Sequence, residues 1–305
     1  MLYTITFNPA IDLVIRVDHC QLGELNRSTG EDYVAGGKGI NMSVILHRLG
    51  HKNVATGFLA GFSGEFIKQS LLEEGITPHF VQVEGTTRIN VKLKSAQETE
   101  INAAGPYVSA EKFTELLSYF EQHLQTDDVV FLAGNAAPGM TSQAYVAIAK
   151  LCQEKHAKLV LDTTKTLLTE CLSYQPFIIK PNHHELGEIF GVELHTEEAI
   201  ITYAKKLQEK GARNVLVSRG GNGALLVSET GEVYTSNVPK GTVVNSVGAG
   251  DSMLAGFMAA YLETNDYATA LKQGAATGSA TAFSVGIATL EFINELKQQI
   301  TVVKK

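Results

Sequence analysis

Apolar residues fall along the chain in two rhythms. Short, mostly β-branched runs recur at Tyr3–Phe7, Val54–Phe58, Val129–Leu132, Leu159–Asp162, Phe177–Lys180, Val215–Ser218 and Ala224–Val227. Runs such as VVFLAG and LVLDT are apolar on both faces, as strands are in a parallel sheet covered by helices on both sides. Between most of them, apolar residues return at spacings of three and four. This predicts helices over Gly64–Glu74, Ala110–Leu124, Ser142–Glu154 and Glu197–Lys210. The alternation is that of an α/β fold. Two stretches break it: residues 11–35 and 86–104 alternate polar and apolar with no helix signal, which predicts antiparallel strands with one wet face. Elements of the main body separate them, so they predict a small sheet built from two insertions and projecting from that body. A lid fits such a sheet, and so does an edge that pairs with a second copy.

Bulk properties narrow the partners. The 305 residues are long for one domain but suit an α/β body with a small appendage. With 25 Lys and Arg against 32 Asp and Glu, the net charge is −7, which argues against nucleic acid or an anionic membrane. Cys20, Cys152 and Cys171 are far apart, which argues against a disulfide framework or a zinc site and for a reducing compartment. The first residues lack a basic segment followed by an apolar core, and no apolar run reaches about 18 residues. The expected location is the cytoplasm.

Two glycine clusters carry the candidate chemistry. In NSVGAGDSMLAGFMAAYL, residues 245–262, Met253, Leu254, Phe257, Met258, Tyr261 and Leu262 make one helical face, which puts Asp251 at or near the N-cap. A capping acid after turn glycines is the plain reading. The other reading is a phosphate cradle. Gly248, Ala249 and Gly250 let a ligand touch the backbone, and the N–H groups of a helix start favour anions. That field is expected to keep Asp251 ionised, so that it can orient and deprotonate an attacking hydroxyl. The second cluster, GGKGINMSVILHRLG at 36–50, lacks the pattern of a Walker A or a GxGxxG loop. It is either a tight turn with a surface lysine or a substrate cradle using Gly36, Gly37, Lys38 and Asn41.

These clusters, with TFNPAID at the start, TRINVK at 87–92 and KPNHHE at 180–185 in the same order, resemble the motifs of the PfkB, or ribokinase-like, carbohydrate kinases. The resemblance spans essentially the whole chain. It implies one ribokinase-like domain: a three-layer α/β sandwich with a mostly parallel central sheet and a β-sheet lid. It also implies ATP, Mg²⁺ and transfer of the γ-phosphoryl to a sugar hydroxyl. By position, Asp251 matches the base, and Gly248, Ala249 and Gly250 match the anion hole. Asp12, with Gly37 and Asn41, matches the grip on sugar hydroxyls. Arg88, Lys38 and Arg27 stand where members that act on phosphosugars hold the phosphate already present. Asn135, in AGNAAPG where relatives usually show SGSLPPG, replaces a serine that helps hold that phosphate. Asn182 and Glu185 match the positions that organise Mg²⁺ through water, with a capping Asn and a first-turn Glu as the alternative. Ser218, Gly220 and Gly223 match the seat of ATP. Ala275, Gly278 and Ser279 would line its adenine side, unless they only thin a helix for close packing. Asn245-Ser246 replaces an Asp-Thr pair, so no potassium site is inferred. The subgroup resembled takes D-fructose 1-phosphate at its C6 hydroxyl. Tagatose 6-phosphate is the alternative substrate, and a silent sugar-phosphate sensor is the alternative function. The lid strands suggest a homodimer.

Overall fold

The computed structural model describes residues 1–163 and 165–305. The chain begins with β1 (Leu2–Thr6), β2 (Ala10–Arg16), β3 (Gly30–Gly36), α1 (Lys38–Arg48), β4 (Asn53–Leu59), α2 (Gly61–Glu73), β5 (Thr77–Gln82), β6 (Arg88–Lys94) and β7 (Thr99–Ile101). It continues with α3 (Ala110–His123), β8 (Val129–Ala133), α4 (Ser142–Glu154), β9 (Lys158–Asp162), α5 (Lys165–Cys171), β10 (Ile178–Ile179), α6 (His183–Phe190), α7 (Glu197–Glu209) and β11 (Asn214–Ser218). It ends with β12 (Ala224–Val227), β13 (Val233–Ser236), α8 (Ala249–Thr264), α9 (Tyr267–Ala282), α10 (Leu290–Lys297) and β14 (Val302–Lys304).

The main sheet has the order β14-β13-β12-β11-β10-β9-β8-β1-β4-β5. Neighbours from β11 to β5 are parallel, and β12, β13 and β14 are antiparallel additions at one edge. The strands are apolar on both faces because both are covered. Ile5, Val130, Leu132 and Leu161 pack with Phe120 of α3, Tyr145 of α4 and Leu207 of α7. The intervening Val129, Phe131 and Val160 pack with Ile45 of α1 and with Leu254 and Phe257 of α8. The result is three layers.

Strand order reverses between β1 and β8. From β1 the chain moves outward to β4 and β5, and from β8 it moves the other way to β9, β10 and β11. The carboxyl ends of β1 and β8 therefore flank a crevice, where open α/β sheets bind ligands. A second sheet, β3-β2-β6-β7, stands at this end. The two alternating segments form it, each as an antiparallel pair, β2 with β3 and β6 with β7, and the segments meet through β2 and β6. β2 and β6 run parallel, with Asp12 opposite Asn90. The reason is topological. β2 follows β1 and β6 follows β5, strands that point the same way in the main sheet, so both insertions leave the body at the same end. Among the described residues, no helix is long and apolar enough to cross a membrane.

Candidate active site

A cleft of about 280 Å³ opens between the ends of β1 and β8, the small sheet, and the first turns of α1 and α8; Asp12, Lys38, Asn41, Arg88, Gly134, Gly248 and Asp251 are among its lining. Gly248 is the N-cap of α8, in a left-handed conformation at φ 78°, and it has no side chain with which to cap the helix. Asp251 is therefore the third residue of the helix, not its cap. The Ala249 N–H already donates to the Ser246 carbonyl at 3.3 Å, while the N–H groups of Gly248, Gly250 and Asp251 meet no acceptor among the described residues. Among the described residues, the N–H groups left open at this helix start are thus those of Gly248, Gly250 and Asp251, with that of Ala249 committed elsewhere. Gly250 has its own reason to be small: a Cβ there would lie 2.9 Å from Lys180 Nζ.

Asp251 is buried, and Asn41 Nδ2 donates to its Oδ2 at 2.9 Å. Burial, then repulsion by Asp162, pushes its carboxyl up to about 6, although Lys38, the Asn41 hydrogen bond and Lys180 pull the other way. Desolvation therefore outweighs the favourable field of the helix start. At neutral pH the group is still mainly a carboxylate, and it is a stronger base than an exposed Asp.

Beneath it lies an ion network. Lys38 Nζ is 3.1 Å from Asp162 Oδ1, and Lys180 Nζ is 3.7 Å from Asp162 Oδ2. Asp162 and Lys180 are only 2% and 6% exposed, so each charge needs the other. Burial alone would raise the Asp162 carboxyl, but Lys180 and Lys38 together hold it below its usual range. Burial likewise opposes charge on Lys38, yet Asp162 and Asp251 overcome it, so Lys38 stays firmly protonated. Neither Asp162 nor Lys180 was singled out from sequence. The available signal was a charged residue ending an all-apolar strand, in LVLDT and in the run before KPN.

On the lid side of the cleft, Asp12 accepts from Asn90 Nδ2 at 2.9 Å, and a Cβ on Gly36 would sit 3.0 Å from Asp12 Oδ2. Gly37 holds φ 130° against Thr6, which sets the start of α1 and the place of Lys38 and Asn41. Arg88 enters the cleft half-buried, its Nε donating to the Asn8 carbonyl at 3.2 Å and its Nη1 to the Ala103 carbonyl at 3.4 Å. Burial lowers its pKa, and Asp12 works against that shift. Asn135 is exposed at the mouth. Arg27 is not brought to the cleft. Asp12 pairs with Val34 near the body, whereas Arg16 pairs with Gly30 at the far end, and Arg27 lies on the exposed loop beyond that end.

The nucleotide-side residues divide. Asn182 Oδ1 accepts from the N–H groups of His184 and Glu185, each at 2.9 Å, and Glu185 Oε2 accepts from the Asn182 N–H at 2.7 Å. The structural alternative is realised as a capping box that commits most of both side chains. Glu185 keeps one carboxylate oxygen, and its charge reaches Lys38. Among the described residues no cluster of three His, Cys, Asp or Glu forms a metal cage. Mg²⁺ in a nucleotide site does not need one, because it keeps waters and phosphate oxygens as ligands. Glu185 fits that indirect role. Ser218 ends β11 beside Asn182, with Gly220 next to it in open space. Gly223 has a structural cause: a Cβ would stand 2.0 Å from the Ser236 carbonyl. Ala275 and Gly278 are corrected as adenine-lining residues. Both are buried; Ala275 packs with Ile300 of the C-terminal segment, and a Cβ on Gly278 would fall 3.0 Å from the Ala249 carbonyl, so small size at Gly278 lets α9 lie close on α8. Ser279 is half-exposed.

Residues 5–291 match the family model of the pfkB carbohydrate kinases. A 1-phosphofructokinase of Bacillus subtilis is 45% identical over 304 residues, covering 100% of both chains. A D-tagatose-1-phosphate kinase of Bacillus licheniformis is 38% identical, covering 99% of each. A crystal structure from Staphylococcus aureus, 40% identical and covering 100% of this chain and 99% of its own, superposes with a TM-score of 0.90.

Proposed function

This chain belongs to the pfkB family of carbohydrate kinases, and from that membership we propose that it moves the γ-phosphoryl group of ATP onto the C6 hydroxyl of D-fructose 1-phosphate. It is an enzyme that phosphorylates a sugar hydroxyl, with the ribokinase-like fold. The observation that carries the reading is the juxtaposition at α8: a buried carboxylate, aimed by Asn41, beside backbone N–H groups that meet no acceptor among the described residues. Asp251 would orient the hydroxyl and accept its proton. In a loose transition state that proton leaves late, so a base near pH 6 suffices. The N–H groups of Gly248, Gly250 and Asp251 would receive the oxygens of the moving group.

Asp12 and Asn41 would hold the sugar hydroxyls, while Arg88, Lys38 and Asn135 would grip the 1-phosphate. An arginine suits two phosphate oxygens at once. Ser218 and Gly220 would seat ATP. Mg²⁺, held by Glu185 through water, would neutralise charge on the transferred phosphoryl. The small sheet would act as a lid that excludes water and limits ATP hydrolysis. The phosphate esters that this reading assigns to it, which do not cross membranes freely, favour a cytoplasmic enzyme, and recovery in the envelope fraction of cells would count against that.

The opposite face of the lid supports a homodimer. Leu13, Ile15, Val91 and Leu93 alternate with Asp12 and Asn90, so they face away from the cleft, and Tyr33 and Ile101 extend that face while 55% and 63% exposed. A monomer mass at micromolar concentration would overturn it. Tagatose stays the second sugar, but the relative named above carries its phosphate at position 1, not 6. Coupled ADP release on adding D-fructose 1-phosphate, D-tagatose 1-phosphate or D-tagatose 6-phosphate tests the function. The highest kcat/KM is expected for D-fructose 1-phosphate, and no ADP release with any of them would sink the reading in favour of a sensor.

A further inference from the structure

We infer that Asn90 is a positioning residue for the sugar. Its side-chain amide fixes Asp12 so that one carboxylate oxygen is left to meet the substrate, and it ties that acid to the chain segment that leaves the lid. The inference rests on the reading of Asp12 as the grip on sugar hydroxyls.

Asn90 lies in the middle of β6, and the parallel register sets it directly opposite Asp12 of β2. Both side chains stand on the cleft face of the lid, and Asn90 is only 6% exposed. Its two ends do different work. Nδ2 donates to Asp12 Oδ1 at 2.9 Å, and Oδ1 accepts the backbone N–H of Ala103 at 3.2 Å. An amide can do both at once because it carries a donor and an acceptor; a carboxylate here would have no proton for Asp12. Since Asp12 Oδ1 is engaged by the amide, Oδ2 is the oxygen left for a ligand.

The segment that Asn90 holds is itself tied down around the cleft. Arg88 Nη1 donates to the Ala103 carbonyl at 3.4 Å, and Asn8 Nδ2 donates to the Ala104 carbonyl at 2.9 Å. At Gly105, φ is 90° and a Cβ would come within 2.3 Å of Asn8 Oδ1. The connection from β7 toward α3 therefore passes close over the lid side of the cleft, and Asn90 joins it to the acid that would read the sugar. The bond from Asn90 goes to an ionised acceptor in a partly closed cleft, the class of hydrogen bond whose loss is most costly.

The test uses Asn90→Ala and the double variant Asp12→Asn/Asn90→Asp. In the double variant the hydrogen bond is kept with its polarity reversed, and the aspartate still accepts the Ala103 N–H, so folding is preserved while the charge leaves position 12. Asn90→Ala is expected to raise KM for D-fructose 1-phosphate by about tenfold or more, with KM for ATP changed by less than about twofold. The double variant is expected to keep the thermal midpoint of the wild type and still show the raised sugar KM. Equal changes in both KM values for Asn90→Ala would overturn the inference. So would a double variant in which the sugar KM returns to that of the wild type. If Asn90→Ala does not fold, the double variant alone decides, on the same criterion. A wild-type enzyme inert toward every phosphosugar would instead remove the functional reading, so the two failures are distinguishable.

Discussion

Two helices in this molecule begin alike and end differently. Both α6 and α8 carry an acid at their third residue, Glu185 and Asp251. In α6 the N-cap is Asn182, its side chain takes two of the free N–H groups, and Glu185 folds back onto the N-cap. In α8 the N-cap is a glycine, no side chain among the described residues caps the first turn, and Asp251 turns to Asn41 of α1. The first helix start is satisfied by its own side chains. The second has N–H groups and a carboxylate still to bind something. An acid in a first turn is therefore no sign of chemistry by itself, and an absent cap beside it is the better one.

The largest effect expected to test this contrast is at Asp251. Asp251→Asn should lower kcat by at least ~10²-fold with the fold retained by circular dichroism. Turnover near that of the wild type would make α8 no different from α6. The same variant carries a second expectation with opposite sign. The folded-state value near 6 lies above the ordinary 3.8, so burying this acid costs stability that sets in as pH rises between those values and is complete above them. Asp251→Asn should therefore be more stable than the wild type at pH 8, by roughly 3 kcal/mol, and not at pH 3. Denaturant melts at both values would check it.

Next comes the pH profile. If Asp251 must be ionised, kcat falls as pH drops through about 6. Asp162 is one cause of that high value, and it also engages Lys38 and Lys180, which already draw Asp251 down and would do so more strongly without it. Asp162→Asn removes the repulsion and frees both lysines, so the acid limb should move to lower pH. It should also destabilise the fold by about 3–5 kcal/mol, because Lys180 is left buried without its partner. An acid limb that stays in place in a still-folded variant would show that another group sets it.

How much of this could be read from the chain depends on whether the cause is local. The apolar-on-both-faces strands were legible because a covered parallel sheet leaves that mark at each strand separately. β10 shrank to Ile178–Ile179 from the expected 177–180, flanked as it is by Pro176 and Pro181. In the lid, alternation set the faces but not the direction, so the parallel β2–β6 pair was invisible. The glycines and Asp251 were legible, being contiguous. The Lys38–Asp162–Lys180 network was not, since Lys38 and Asp162 are 124 residues apart and no spacing rule joins them. At Gly278, a small residue in the sequence reads the same for a ligand wall and for a close helix pair, and only packing separates them.

The smallest expected effect concerns α6, and it separates the two roles left open for Glu185. The capping box uses the Glu185 carboxylate only as an acceptor for the Asn182 N–H, a role that a glutamine oxygen also fills. Glu185→Gln should therefore leave the thermal midpoint close to that of the wild type. If its remaining oxygen steadies the water shell of Mg²⁺, the same change should raise the Mg²⁺ concentration for half-maximal activity severalfold, because a neutral oxygen is a weaker partner for that shell. Asn182→Ala should behave differently: about 1 kcal/mol of stability is lost as the two N–H groups lose their acceptor. Equal loss of stability in both variants would mean that the negative charge itself, and not the hydrogen bond, holds the start of α6. An unchanged Mg²⁺ requirement in Glu185→Gln would assign this acid to capping alone, and α6 would then differ from α8 in having no part in the chemistry.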